Sequence, residues 1–248
     1  MAYYDQIGSS KFLTGSFTTA FVSMGCTILL CLLISTLRIK PQRIFRHSKA
    51  KKTSIKDRLL SLRFIIFFIS GVLLQISFGP YYGFFALFLR DLSYTGMTVG
   101  LLISLGVIAE ILVFIFSNIF FQRFSLKLLL VFSLLVTGAR WFLVALYADS
   151  IFLLMFTQIL HAASFALYHS ASMLFISQHF TSCQQSRGQG LYLGGVYGVG
   201  GAIGAYIAGV LWLNGEGADT AFLTASAFAT LAGFLMLFLP QPIKKPNL

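Results

Sequence analysis

Gly138-Ala-Arg140-Trp-Phe, Gln158-Ile-Leu-His161-Ala-Ala-Ser164 and Tyr168-His169-Ser-Ala-Ser172 sit inside two long apolar runs, 128–147 and 151–178. Arg140 and His161 fall well inside these runs, at the depth a bilayer-spanning helix would give the membrane interior. A charged side chain there costs about 2.5–3.5 kcal/mol on insertion scales, so such a residue faces a partner or a wet cavity. Glu110, central in the run 96–121, is the one acid well inside an apolar segment. Three adjacent spans would bring a carboxylate, a guanidinium and an imidazole to similar depth. The rest of the chain is organised around that trio.

Composition agrees with helices in lipid. Of 248 residues, 57% are hydrophobic and 10% charged, against about 25% charged in a soluble domain. The mean hydropathy is +0.85. Continuous apolar runs longer than a span, not short alternating ones, exclude a β-barrel. The expected fold is all-α and integral to the membrane.

The polar residues 1–16 read as an outer tail. The run 17–37 is a first span; its positive charge follows it, the reverse of a cleaved signal. Residues 38–63 form the hydrophilic centre, with ten Lys or Arg against Asp57 alone. Within it, 53–63 can form a short amphipathic helix on the membrane face. Six further spans are expected at 64–89, 96–121, 128–147, 151–178, 189–213 and 218–239, then a tail over 240–248. That makes seven, arranged as one plus six.

Alternating loops across seven spans puts fifteen Lys and Arg on one side and Lys11 with Arg90 on the other. The positive-inside rule makes the basic side cytoplasmic, the amino terminus outer and the carboxyl terminus inner. The expected location is an inner or plasma membrane, crossed several times. The net charge of +11 therefore points to anionic lipid, not nucleic acid. Cys26, Cys31 and Cys183 have no metal-ligand or disulfide spacing, and no motif calls for a cofactor or a metal.

Lesser features have their own readings. His161, Ser164, Tyr168 and Ser172 recur at steps of three and four, one polar stripe on a helix. His169 lies at a different angle and reads as packing. Gln75 and Gln158 are candidates for the cavity wall or for interhelical hydrogen bonds, and Asn118 for such a bond. Tyr81 and Tyr82, beside Pro80, lie toward the outer end of their span as interfacial belt or gate. Gly194 with Gly198, Gly200 with Gly204, and Ala205 with Gly209 repeat small residues at steps of four, which permits close helix approach. His179 is expected to be solvated.

The segments Phe78-Gly-Pro-Tyr-Tyr-Gly-Phe-Phe, Gly106-Val-Ile-Ala-Glu-Ile, Gly138-Ala-Arg-Trp, Ile159-Leu-His-Ala-Ala-Ser-Phe and Gly188-Gln-Gly-Leu-Tyr carry a resemblance. In this order they resemble the carboxyl-terminal half of a major facilitator superfamily transporter. The branch is the one holding lactose permease, nucleoside–proton symporters and phenylpropionate permeases. Residues 17–37 would match its sixth helix and 38–63 its central loop. Gln122-Arg-Phe-Ser-Leu-Lys resembles a degenerate form of the superfamily's short inner-loop motif.

The resemblance implies a secondary transporter, proton symporter-like, for a small organic solute, with an aromatic acid preferred. Proton coupling and substrate contact would fall on Glu110, Arg140 and His161. Ser164 stands where the lactose-type pattern carries a second glutamate, so the proton would fall to Glu110 or the coupling would differ. The family works by rocking two six-helix halves around a midplane site, so a separate amino-terminal half is an expected partner. The alternatives are a non-transporting fragment and a seven-helix receptor or binding protein. A retinal-type receptor lacks its lysine in 218–239, and an intramembrane enzyme lacks a catalytic set, since His161 and His169 are eight apart.

Overall fold

The computed structural model describes residues 54–240. The expected span 17–37, the tails 1–16 and 241–248 and most of the basic loop lie outside them. Among the described residues every regular element is helical, and six helical stretches are long and apolar enough to cross a membrane: Leu62–Asp91, Gly96–Arg123, Leu126–Tyr147, Ile151–His179, Gln185–Gly215 and Ala218–Leu237.

Local chemistry sets the helix starts. Helix α1 (Ile55–Leu59) begins after Ser54, whose hydroxyl accepts from the Lys56 amide. Ser61 caps α2 (Leu62–Ser77) through the Phe64 amide. Thr95 caps α4 (Gly96–Arg123) and Ser125 caps α5 (Leu126–Tyr147) in the same way. Each satisfies an amide that a helix cannot pair internally. His179, expected in solvent, is buried instead. It stacks between Phe64 and Phe175 at 5.6 and 5.5 Å, and bonds the Arg58 carbonyl at 2.9 Å, tying α1 to the bundle.

The span Leu62–Asp91 is broken at Phe78, where α2 hands over to α3 (Gly79–Asp91). Pro80 has no N–H and cannot donate to the Ile76 carbonyl four residues back. The freed backbone is where another helix comes in: a Cβ on Gly204 would collide with the Ile76 backbone, and one on Gly79 with that of Gly204. The break leaves Tyr81 and Tyr82 about two-thirds of the way along the 30-residue span, in the half that ends at Asp91.

Two spans contain π-helical turns. Helix α6 (Ile151–Ala162) runs through a π segment, Ala163–Leu167, into α7 (Tyr168–His179). Helix α8 (Gln185–Tyr192) does the same through Leu193–Gly200 into α9 (Gly201–Trp212). A π turn holds extra residues and rotates everything beyond it, and such turns concentrate at functional sites. The last span is α10 (Ala218–Leu237).

The glycine pattern is corrected accordingly. Gly200 packs on Val72 and Gln75, and Gly204 on Ile76, but a Cβ on Gly194, Gly198 or Gly209 would meet nothing within 4 Å among the described residues. The π segment Leu193–Gly200 contains Gly194 and Gly198 and ends at Gly200, so the four-residue steps do not share a face. The closer small-residue seam is on α10, where Ala221, Ala225, Ala229, Ala232 and Gly233 are buried. There Ser226 donates to the Gly138 carbonyl at 2.8 Å, and no Cβ would fit on Gly138 against Thr230. Between lipid-embedded helices such close van der Waals contact replaces the hydrophobic effect as the driving force.

Candidate functional site

Arg140 projects from the middle of α5 and has no exposed surface. From α6, His161 brings Nδ1 to 2.7 Å from Arg140 Nη1. From α4, Glu110 brings Oε1 to 2.6 Å from His161 Nε2. Gly106, one turn before Glu110, makes that approach feasible. A Cβ there would stand 3.2 Å from Gln158 Oε1 and 3.5 Å from His161 Cδ2.

The hydrogen-bond chemistry of this chain has one consistent assignment. A guanidinium only donates, so His161 Nδ1 accepts; the imidazole then carries its proton on Nε2 and donates it to Glu110. Glu110 Oε1 is the acceptor. Arg140 and Glu110 are thus not a direct ion pair: a neutral imidazole bridges them.

The guanidinium is also stacked. Its carbon lies 4.5 Å from the Tyr81 ring centroid and 4.2 Å from that of Trp141, within cation–π range. Trp141 is held by its indole N–H on Ser77 at 3.2 Å, and Tyr81 by its hydroxyl donating to Gln158 at 3.0 Å. The Tyr81 hydroxyl also interacts with the guanidinium, while Arg140 Nε and Nη2 make no regular hydrogen bond among the described residues. Those two nitrogens form an edge of the guanidinium suited to a bidentate carboxylate.

On the far side of Tyr81 lies an open cleft of about 380 Å³, walled by Tyr81, Tyr82, Phe85, Val107, Phe165 and the polar ends of Glu110 and His161. Glu110 keeps 16% of its side chain exposed. Glu110 and His161 therefore face the cleft, whereas Arg140 stands behind Tyr81.

The remaining candidates divide. Tyr81 and Tyr82 line the cleft. Gln158 is buried behind it, and Gln75 packs on Gly200 and Gly201. Asn118 is exposed on the outer face of α4. The expected polar stripe is split by the π turn after His161. Ser164 bonds back to the Leu160 carbonyl at 3.2 Å, and Tyr168 and Ser172 point into the bundle. His169 rotates into their place. His161, Phe165 and His169 stack ring on ring, with centroids 6.0 and 6.1 Å apart, and His169 Nδ1 meets the Tyr197 hydroxyl at 3.0 Å. Tyr197 lies on the second π segment. The aromatic cover on Arg140 and the two π turns had no signal in the sequence pattern. Gly106 and Gly138 did, each within a turn of a buried charge.

The model of the MFS_1 like family matches residues 20–224. The chain belongs to that family. Its members are major facilitator transporters, which are not enzymes. This MFS chain is 30% identical over 214 residues to a probable 3-phenylpropionic acid transporter of Escherichia coli (strain K12), a match covering 83% of the chain and 55% of that protein. It spans about half the length of that relative. Its fold matches a crystal structure of the nucleoside transporter NupG (D323A mutant), with TM-score 0.66 and 19% identity, over 88% of the chain and 60% of NupG. The resemblance to a carboxyl-terminal transporter half is borne out, as is the multi-pass membrane character.

Proposed function

We propose that the chain forms the carboxyl-terminal half of a proton-coupled transporter for a small aromatic carboxylic acid, with its amino terminus outside and its carboxyl terminus in the cytoplasm. The supporting observation is the Glu110–His161–Arg140 chain at the wall of an aromatic cleft. The half-length match to the relative supports an amino-terminal half as partner.

Charge balance supplies the coupling. With Glu110 ionised, the carboxylate offsets the guanidinium and the trio is neutral. A proton on Glu110 leaves Arg140 uncompensated in a low-dielectric site. An isolated buried charge costs about 3–5 kcal/mol relative to the paired state. A substrate carboxylate that reaches the free Nε–Nη2 edge restores neutrality. Proton and acid anion thus enter together, because either alone leaves net charge in the membrane. Tyr81 must turn aside for that contact, and Tyr82, Phe85 and Phe165 offer ring faces to an aromatic body.

The test is uptake of labelled 3-phenylpropionate by cells expressing the chain with a matching amino-terminal half. Accumulation should require a proton gradient. Glu110→Gln should abolish accumulation while leaving exchange of internal for external substrate. Unchanged accumulation in Glu110→Gln would overturn the coupling, and absence of any aromatic-acid exchange would overturn the substrate class.

A further inference from the structure

A second cleft, also about 380 Å³, opens where α2 begins, α4 ends and α5 begins; Arg63, Lys127 and Ser125 line it together with Phe121, Phe124 and Leu174. We infer that it binds the phosphodiester headgroup and adjoining acyl segment of an anionic phospholipid. The inference is independent of the transport cycle proposed above.

Its polar residues are suited to an anion. Two cations line the cleft and no acid does. Among the described residues, neither Arg63 nor Lys127 has an ion-pair partner. The Arg63 guanidinium carbon lies 5.1 Å over the Phe175 ring, and its buried Nε has no hydrogen-bond partner. Stacking fixes the plane and leaves the N–H edges free for oxygen. The first turn of α5 adds to this. Ser125 Oγ accepts from the Leu128 amide, while amides of the first turn have no acceptor inside the helix, and the helix dipole is positive at that end.

The apolar residues decide the class of anion. Phe121, Phe124, Leu126 and Leu174 adjoin the cations in the same cleft. Inorganic phosphate or a soluble phosphate ester would leave that surface against water. A phospholipid covers it with glycerol and acyl carbons while its phosphodiester reaches Arg63 and Lys127. Depth agrees, because the cleft lies at the ends of membrane-crossing helices, where headgroups sit. Basic pockets between such helices are the general form of anionic-lipid sites.

The experiment uses the full chain in a neutral detergent, with bound lipid read by native mass spectrometry and thermal unfolding followed in parallel. The probes are phosphatidylglycerol, phosphatidylcholine and soluble glycerol phosphate. Wild type should retain phosphatidylglycerol over phosphatidylcholine, and retention should fall roughly fivefold for each of Arg63→Gln and Lys127→Gln. Arg90→Gln, at the opposite end of the same span, should change nothing. Equal retention of both lipids, or unchanged retention in both variants, would overturn the lipid site. Stabilisation by glycerol phosphate equal to that by phosphatidylglycerol would also overturn it, since the cleft would then be a simple anion site. Should Arg63→Gln fail to fold, Lys127→Gln, altered at a partly exposed position, gives the reading.

Discussion

Arg140 donates to His161, and because a guanidinium cannot accept, that 2.7 Å contact dictates which nitrogen of His161 faces Glu110. The charge on α5 is thereby communicated to α4 through a ring on α6. A proton added to Glu110 should raise affinity for an organic anion, so binding of 3-phenylpropionate in nanodiscs should tighten as pH falls. In Glu110→Gln the positive charge is permanently uncompensated, and binding should be tight and independent of pH. Titrations of wild type and variant at acidic and slightly alkaline pH check this, and parallel profiles would exclude Glu110 as the titrating group.

Stability should respond to the trio as a unit. His161→Phe leaves a buried guanidinium without its hydrogen bond and Glu110 without its donor. It should destabilise the bundle by about 1–3 kcal/mol for each group left unsatisfied. Replacing all three with apolar residues, Glu110→Leu, Arg140→Met and His161→Phe, removes the buried charges and unsatisfied groups together and should recover most of that loss. Unfolding curves in detergent for the single and triple variants measure the difference. A triple variant less stable than the single one would mean that shape, not charge, governs the site.

How much of this was legible in the chain follows from what each feature depends on. The spans and the depth of Glu110, Arg140 and His161 depend on hydropathy along one helix at a time, and residues 54–240 fold with the expected six spans. The angles around a helix were less legible. The stripe His161, Ser164, Tyr168, Ser172 assumed an unbroken α period, and the π segment Ala163–Leu167 breaks it, sending Tyr168 inward and His169 onto the Phe165 stack. The pairing of Gly194 with Gly198 failed for the same reason on the second π segment. Burial of Arg140 under Tyr81 depends on where Pro80 breaks the span, a tertiary outcome that spacing alone does not determine.

The glycines give a graded test of packing. Gly138→Ala drives a methyl group into Thr230, and overpacking of this kind costs about 1–3 kcal/mol. Thr230→Ala should restore much of the loss in the double variant. Gly194→Ala adds its methyl group in open space and should stay within about 0.5 kcal/mol of wild type. Thermal unfolding of the four proteins separates the cases. Equal effects at Gly138 and Gly194 would contradict the seam between α5 and α10.

Tyr81 stacks on Arg140 and also walls the cleft, which makes it separable from the trio by mutation. Tyr81→Phe keeps the ring over the guanidinium and loses the hydroxyl that donates to Gln158. A neutral hydrogen bond contributes about 0.5–1.5 kcal/mol, so stability should drop slightly while anion affinity and its pH dependence persist. Tyr81→Ala removes the cover and should admit anions to the Nε–Nη2 edge without any side-chain movement. It should therefore bind small carboxylates such as benzoate that wild type binds weakly, and lose discrimination among aromatic acids. Competition binding with benzoate, 3-phenylpropionate and acetate measures this. If Tyr81→Ala keeps the wild-type ranking of the three acids, the ring is a wall of the cleft and not its gate.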